Sequence, residues 1–247
     1  MKRHNYEVIK IGGSVLTEPA SYSQVVDAIL ALGNSPLVIV VSAMAGTTDQ
    51  LIQTAKSLRI CNTKYVDEIL AFGEIISTKI MSITFKSRKA DAVGITPLDE
   101  EWPIITNSSY GDATPDLDLS NRNLKRLFHN TVNSNIVVLS GFLGRDSEGN
   151  ITTLGRGGSD TTAFLIGYCL KWPVQLMKTA AAFETFRAEI ATRFTKKDSI
   201  TIEELKKYLV DHPGFVSDKA LNYIRPEEDV TISTLTEVSK GVRIRSE

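Results

Sequence analysis

The run TTLGRGGSDTTA, residues 152–163, sets an arginine before two glycines and a Ser-Asp pair, with threonines on both sides. It has little to bury and many groups that hydrogen-bond, so it reads as a loop built to hold a ligand. Glycine lets backbone N–H groups approach a bound group closely, and N–H groups at a helix start favour anions. Three other small, glycine-bearing segments share this chemistry: Ile11-Gly12-Gly13-Ser14, the stretch from Ser42 to Thr48 (SAMAGTT), and Gly141-Phe142-Leu143-Gly144. Together they predict phosphate handling by cradles distributed over the fold. Lys10, two residues before Gly12, can set a point charge against phosphoryl oxygens held by glycine amides. Arg156 offers a planar fork for a carboxylate, and Asp160 can orient a lysine or an ammonium.

Elements that could position these loops follow from the hydrophobic pattern. YEVIKIGG, SPLVIVVSAMAG, NIVVLSGFLG, WPVQLMKT and DVTISTL read as strands, with strand pieces in ADAVGITPLD, WPIITN and at the end of RDSEGNITT. Unbroken Val/Ile runs suit strands buried on both faces of a parallel sheet. SYSQVVDAILALG reads as a helix stopped at Gly33, and TTDQLIQTAKSL, KYVDEILAFGEIISTKIMSITFKSR, SNRNLKRLFHN, SDTTAFLIGYCLK and SITIEELKKYLVD as further helices. Ser159 or Asp160 is expected to cap the helix of SDTTAFLIGYCLK. The β–α alternation predicts an α/β fold, a three-layer αβα sandwich with a largely parallel sheet. In such sheets ligands bind at the carboxyl ends of the strands, where all four loops fall. The chain is expected to be one domain over residues 1–247, with a change of role near residues 165–170.

Two nucleotide fingerprints are absent: there is no G-x-x-x-x-G-K-[ST], and Gly155-Arg156-Gly157-Gly158 supplies only the first half of G-x-G-x-x-G. Plainer readings stand beside each site residue. A lone Lys-x-Gly-Gly is also an ordinary strand-end turn, Thr48 and Asp49 can cap a helix, and Glu74 can sit on a solvated face or in a local salt bridge. His4, His129 and His212 lack metal-ligand spacing and are expected at the surface, and no metal site is expected in the protein.

Lys and Arg number 28 against 29 Asp and Glu, a formal charge of −1 that leaves no electrostatic footprint for nucleic acid. With 42% hydrophobic residues the chain can build a sizeable core. Cys61 and Cys169, the two cysteines, make neither a disulfide framework nor a zinc pattern and are expected buried and reduced. The N-terminal MKRHNYEVIKIGGS lacks a signal-peptide core, and the apolar runs are too short to span a bilayer. A soluble, cytoplasmic protein with no membrane partner is expected.

In order along the chain, KIGGSV, VVSAMAGTTDQL, FGEIIS and GFLGRDSEGNITTLGRGGSDTTA resemble the aspartokinases of the amino acid kinase family over residues 6–165; the first motif also resembles isopentenyl phosphate and glutamate kinases. The resemblance implies an αβα sandwich that moves the ATP γ-phosphoryl group onto an acceptor, with Mg2+ held mainly by the nucleotide phosphates. Residues 1–165 would form the acceptor and phosphate lobe, and 166–247 the nucleotide lobe. By motif position, Lys10 would neutralise the transferring phosphoryl and Asp160 organise the lysine and the reacting groups. Gly12, Gly13, Ser14, Gly157 and Gly158 would line the phosphates. Ser42 and Thr48 match acceptor-binding hydroxyls, Glu74 the carboxylate that receives an α-amino group, and Arg156 the grip on an α-carboxylate; Ser159 would lie beside the acceptor. Lys178, Thr179 and Lys219 fall where the family holds the nucleotide. A homodimer and a place in aspartate-family amino acid biosynthesis are implied as well.

Three departures stand out. The chain ends where regulatory ACT domains would begin, so none is expected. Lys178-Thr179-Ala180-Ala181-Ala182-Phe183 replaces the family's Asp/Gly-bearing nucleotide loop, and Phe215 stands where a later lysine is usual, with Lys219 four residues on. The acceptor is expected to be the β-carboxylate of aspartate. The alternative is the hydroxyl of homoserine, kept open by the short segment between Thr48 and Glu74, and a further alternative is a non-catalytic amino-acid-binding subunit.

Overall fold

The computed structural model describes residues 7–33, 37–130, 134–195, 198–225, 229–237 and 241–245; His4 lies outside them. One sheet of eight strands runs in the order β3 (Ala92–Ile95), β4 (Ile136–Ser140), β2 (Leu37–Val41), β1 (Glu7–Ile11), β7 (Val174–Lys178), β9 (Val230–Thr234), β10 (Val242–Arg245), β8 (Ser199–Thr201). Neighbours are parallel throughout except β9 and β10. In the centre Ile9 lies between Ile39 of β2 and Gln175 of β7.

The sequence dictates this placement through alternation. LVIVV and IVVLS are buried at every position, as strands covered on both faces must be. Ile9, Ile11, Ile39, Val41 and Val138 face one core, where they meet Val25 and Ile29 of α1 (Pro19–Ala31) and Met81 and Phe85 of α3 (Thr63–Ser87). Val8, Val38, Val40, Leu139 and Leu176 face the other, with Leu124 of α4 (Leu117–Asn130), Phe164 of α5 (Gly158–Leu170) and Phe186 of α6 (Ala180–Phe194). Two helical layers around one sheet give the expected three-layer α/β sandwich. Helix α1 ends as expected before Gly33, whose φ of +66° suits glycine.

Several local expectations are corrected. NIVVLSGFLG is not one strand: β4 ends at Ser140, and β5 (Leu143–Arg145) turns away to pair antiparallel with β6 (Ile151–Thr153). WPIITN contributes only isolated bridges at Ile105 and Thr106. Residues 180–194 form a helix, so Ala180, Ala181 and Ala182 are its first turn and not a loop. Alanine is the strongest helix former, and the Thr179 hydroxyl caps the turn by accepting from the Ala182 amide at 3.3 Å. Phe183, Phe186 and Ile190 then bury the face that anchors it. A capping box between Thr201 and Glu204 starts α7 (Ile202–Asp211), and a short α8 (Asp218–Leu221) follows.

Candidate active site

The carboxyl ends of four adjacent strands, β4, β2, β1 and β7, come to one edge, where a cavity of about 590 Å³ opens. Lys10, from the end of β1, is 8% exposed, and its Nζ lies 2.7 Å from Asp160 Oδ1 in the first turn of α5. Asp160 Oδ2 accepts from the Ser217 amide at 3.1 Å. Burial alone would raise the Asp160 pKa; the Lys10 charge, then that of Lys178, and these hydrogen bonds outweigh it and hold the carboxyl below its usual range. Neither Ser159 nor Asp160 caps α5: Gly157 occupies the cap position with φ +70°, and both residues are buried inside the helix. A Cβ at Gly157 would run into the Ser217 side chain, so this turn requires glycine twice over.

Glu74 reaches the cavity from α3. The helix can press against the turn after β2 because residue 73 is glycine; a Cβ there would lie 2.9 Å from Ala43 Cβ. Glu74 is 3% exposed, its Oε1 accepts from the Ala43 amide at 3.1 Å, and its Oε2 has no partner among the described residues. Burial pushes its pKa up to about 7, against smaller lowering by hydrogen bonds. It sits on no solvated face and, among the described residues, in no salt bridge. Ser42 lines the same wall, its carbonyl accepting from the Ser77 hydroxyl at 2.7 Å. Thr48 and Asp49 also line the cavity from inside α2 (Thr47–Ser57), whose cap position is Gly46, so neither caps the helix.

Gly13, Ser14, Gly158 and Ser159 complete the lining, with Gly12 packed directly beside the Lys10 ammonium. Arg156 is exposed at the mouth, between this cavity and a second of about 820 Å³. Its guanidinium is uncommitted among the described residues, whereas its carbonyl accepts weakly from the Ser217 hydroxyl at 3.4 Å.

Three expected residues stand apart from this lining. Lys178, the last residue of β7, donates to the Phe215 carbonyl and lies 4.7 Å from the centre of the Phe215 ring. Burial pulls its pKa down to about 8, opposed by Asp160 and reinforced by Lys10, so its charge is felt by the ion pair. Thr179 is the α6 cap. Lys219 lines the second cavity, but its ammonium is taken by Asp112 Oδ1 at 2.7 Å and the Ala113 and Leu154 carbonyls at 2.9 and 3.2 Å. It works as a latch across the 112–113 turn.

Asp67 was missed by the sequence reading. It lies two helical turns before Glu74 on the same face of α3, is 1% exposed and lines the cavity. Its Oδ2 accepts from the Thr153 and Gly111 amides at 2.8 and 2.9 Å, and its Oδ1 from the Thr153 hydroxyl at 2.8 Å. The available signal was an acid at this spacing among Leu70, Ala71 and Ile75, which all turn inward. Other expectations resolve outside the cavity. Cys169 is buried and Cys61 exposed, contrary to the expected burial of both, and neither is in a disulfide. His129 is exposed, whereas His212 is half-buried, stacked on Tyr208 and 2.8 Å from Glu189. Among the described residues no group of three or more His, Cys, Asp or Glu side chains is arranged to hold a metal ion, and no helix is long and apolar enough to cross a membrane.

Comparison with known proteins fits this geometry. The chain is 30% identical over 202 residues to an aspartate kinase of Stutzerimonas stutzeri, covering 80% of this chain and 48% of that protein. It therefore spans about half the length of the curated relatives it matches. Escherichia coli aspartokinase III in complex with aspartate and ADP shares the fold with a TM-score of 0.78 at 19% identity, over 98% of this chain and 65% of that one. The uridylate kinase of Archaeoglobus fulgidus matches over 97% and 98% of the two chains, with a TM-score of 0.62 at 14% identity. Residues 5–210 match the sequence profile of the amino acid kinase family. With its parallel sheet, its glycine loops at the strand ends and this match over most of its length, the chain belongs to the amino acid kinase family.

Proposed function

We propose that the chain transfers the γ-phosphoryl group of ATP to a small amino acid, with the β-carboxylate of L-aspartate as acceptor and aspartyl phosphate as product. One observation carries the reading: a single cavity holds the buried, half-satisfied Glu74 carboxylate and the uncommitted Arg156 guanidinium, with the Lys10–Asp160 pair beside them. Glu74 Oε2 is an acceptor waiting for a donor, and an α-ammonium supplies both the hydrogen bond and the charge that its burial lacks. Arg156 suits the α-carboxylate.

In the transfer, an acceptor carboxylate oxygen forms a bond to the γ-phosphorus as the bond from phosphorus to the β–γ bridging oxygen breaks, and ADP leaves. Such an acceptor has no proton to lose. That suits a site in which Asp160 is held ionised by Lys10 and the Ser217 amide and so makes a weak base. The task of the chain is positioning and charge stabilisation. Lys10 meets charge on the transferring group, Gly12, Gly13, Ser14, Gly157 and Gly158 shape its cradle, and Ser42, Thr48 and Ser159 border the acceptor. The nucleotide takes the side of Lys178 and the second cavity, where Gly111, Asp112 and Gly155–Gly157 meet residues 209–219 of the part of a single domain that follows residue 165. A magnesium ion would enter with it, neutralising phosphate charge and held mainly by phosphate oxygens.

The hydroxyl of homoserine is a second reading, favoured by the apolar wall that Ile52, Val66 and Leu70 give the cavity. Calorimetric titration with a non-hydrolysable ATP analogue and Mg2+, followed by aspartate or homoserine, tests the reading. Nucleotide binding followed by tighter binding of aspartate is expected; no nucleotide binding would overturn both kinase readings.

A further inference from the structure

Glu74 Oε1 accepts from the Ala43 amide at 3.1 Å, and that amide shares a peptide unit with the Ser42 carbonyl. A peptide unit is planar and, in its ordinary trans form, directs its N–H and C=O to opposite sides, so whatever fixes the carbonyl also fixes the line of the N–H. The Ser77 hydroxyl, three residues after Glu74 on α3, donates to that carbonyl at 2.7 Å. A hydroxyl has one proton to give. With it committed to the carbonyl, the Ser77 oxygen can only accept from the Tyr22 hydroxyl, 2.7 Å away on α1. Donation therefore runs one way, from Tyr22 to Ser77 to the Ser42 carbonyl, and from the Ala43 amide on the other side of the peptide to Glu74. Tyr22 is 3% exposed and Ser77 1%. Burial raises the Tyr22 pKa, against a lowering by the Ser77 bond and with a further rise from the Glu74 charge, so the phenol keeps the proton that it donates.

The structure assigns Tyr22 and Ser77 as positioning residues for the acceptor site: through the Ser42–Ala43 peptide they aim the amide that holds the Glu74 carboxylate, and with it the grip on an acceptor's ammonium group. It rests on the function proposed above only in naming that ammonium. Neither side chain lines the cavity, so both act through Glu74 and not by touching the acceptor. Hydrogen bonds in such a chain polarise one another. A carbonyl that already accepts from Ser77 makes its peptide N–H a stronger donor, which favours the ionised carboxylate. A second tether holds the main chain of the same residue: Thr78 donates to the Glu74 carbonyl at 2.8 Å and lies 2.8 Å from the Ser140 hydroxyl at the end of β4. With the helix held there, the direction of the carboxylate is left to the peptide. The other charged groups that line the cavity are Lys10, Asp49, Asp67 and Arg156. Lys10 is paired with Asp160, Asp67 is taken by Thr153 and Gly111, and among the described residues none of the four bonds to Glu74.

Carbon-13 NMR titration of the side-chain carboxyls in glutamate-labelled, unliganded protein tests this without any substrate, with Glu74→Gln identifying the resonance. The parent midpoint is expected at about 7. Ser77→Ala should move it up by about 0.5–1 pH unit, because misaiming a hydrogen bond to a charged group forfeits part of its worth. Tyr22→Phe should move it the same way by less, and Ser77→Thr, which keeps the hydroxyl, should bring it back toward the parent. In aspartate-dependent ADP release with nucleotide saturating, Ser77→Ala should raise KM about 2–5-fold at pH 7 with kcat little changed. The defect should close by about pH 9, where Glu74 is ionised in every variant. In the Glu74→Gln background Ser77→Ala should add nothing to KM. A midpoint that Ser77→Ala and Tyr22→Phe both leave in place, or a KM defect equal at the two pH values, would overturn the assignment. A shifted midpoint without aspartate-dependent release would uphold it and overturn the acceptor reading instead. If Ser77→Ala loses its fold, Tyr22→Phe, which removes a single oxygen, still decides it by the midpoint.

Discussion

The Lys10 ammonium and the Asp160 carboxylate stand 2.7 Å apart, brought together from the end of β1 and the first turn of α5. Both are largely withdrawn from water, so each is the ion-pair partner that the other's buried side chain meets. Losing one partner of such a pair leaves an uncompensated buried charge, which costs about 3–5 kcal/mol. Lys10→Ala should therefore lower turnover by about 10²–10⁴-fold and also lower the melting temperature. Lys10→Ala with Asp160→Ala should melt higher than the sum of the single losses implies. Arg156→Ala, at the mouth, should raise KM for the acceptor with little change in kcat. Steady-state kinetics and thermal melts of the four variants check all of this.

Glu74 sets a pH dependence whose sign follows from burial. Its pKa is raised from 4.5 to about 7, so the folded protein keeps the proton that the unfolded chain releases between those values. Stability associated with the protonated group is complete below pH 4.5 and is lost as pH rises to about 7, on the order of 3 kcal/mol in all. Glu74→Gln should gain stability relative to the parent across that window, measured by denaturant titration at several pH values. An ammonium-bearing acceptor needs the ionised form, so kcat/KM for the acceptor should rise with pH and level off above about 7. In Glu74→Gln the rise should vanish with most of the acceptor affinity.

What the sequence revealed about these residues depended on how locally each is determined. Strands β1, β2 and β4 were legible because their apolar runs admit no other burial. The Lys10, Arg156 and Asp160 constellation was legible from chemistry and motif together. Helix α6 was not, because three alanines have no pattern of their own and the apolar face that anchors the helix, Phe183, Phe186 and Ile190, begins only after them. Strand β10, with the short alternation VRIR, carried too few residues to announce itself. The burial of Glu74 hangs on Gly73 and Ala43, and the latch by Lys219 on acceptors far away in the chain, so neither can be read from a local window.

Lys178 predicts the opposite pH slope for the nucleotide. Its pKa is lowered from 10.5 to about 8 by burial, so between those values the unfolded chain holds a proton that the folded protein has lost. Stability rises with pH across that window, and Lys178→Met should abolish the rise. A bound polyphosphate favours the charged form, so nucleotide affinity should fall as pH climbs through about 8. In Lys178→Met it should be weaker and flat across the same range, as read by calorimetry.

Asp67 ties α3 to Thr153 and Gly111, just before the turn that presents Arg156. Asp67→Asn replaces one acceptor oxygen with a donor facing hydrogen-bond donors. It should raise KM for the acceptor by about 10-fold, since a lost hydrogen bond to a charged group is worth about 1.5–3 kcal/mol, with kcat changed less. Asp67→Glu should recover part of the affinity. Equal losses in kcat and kcat/KM, without any KM shift, would remove Asp67 from acceptor positioning.

The proposal as a whole rests on what receives the phosphoryl group. The most direct measurement is an ADP-release assay with Mg-ATP and, offered separately, aspartate, homoserine, glutamate and isopentenyl phosphate. Release that depends on aspartate, and that Lys10→Ala abolishes, is the predicted result. Release with isopentenyl phosphate alone would contradict the roles given to Glu74 and Arg156, and release with none of the four would contradict the central claim.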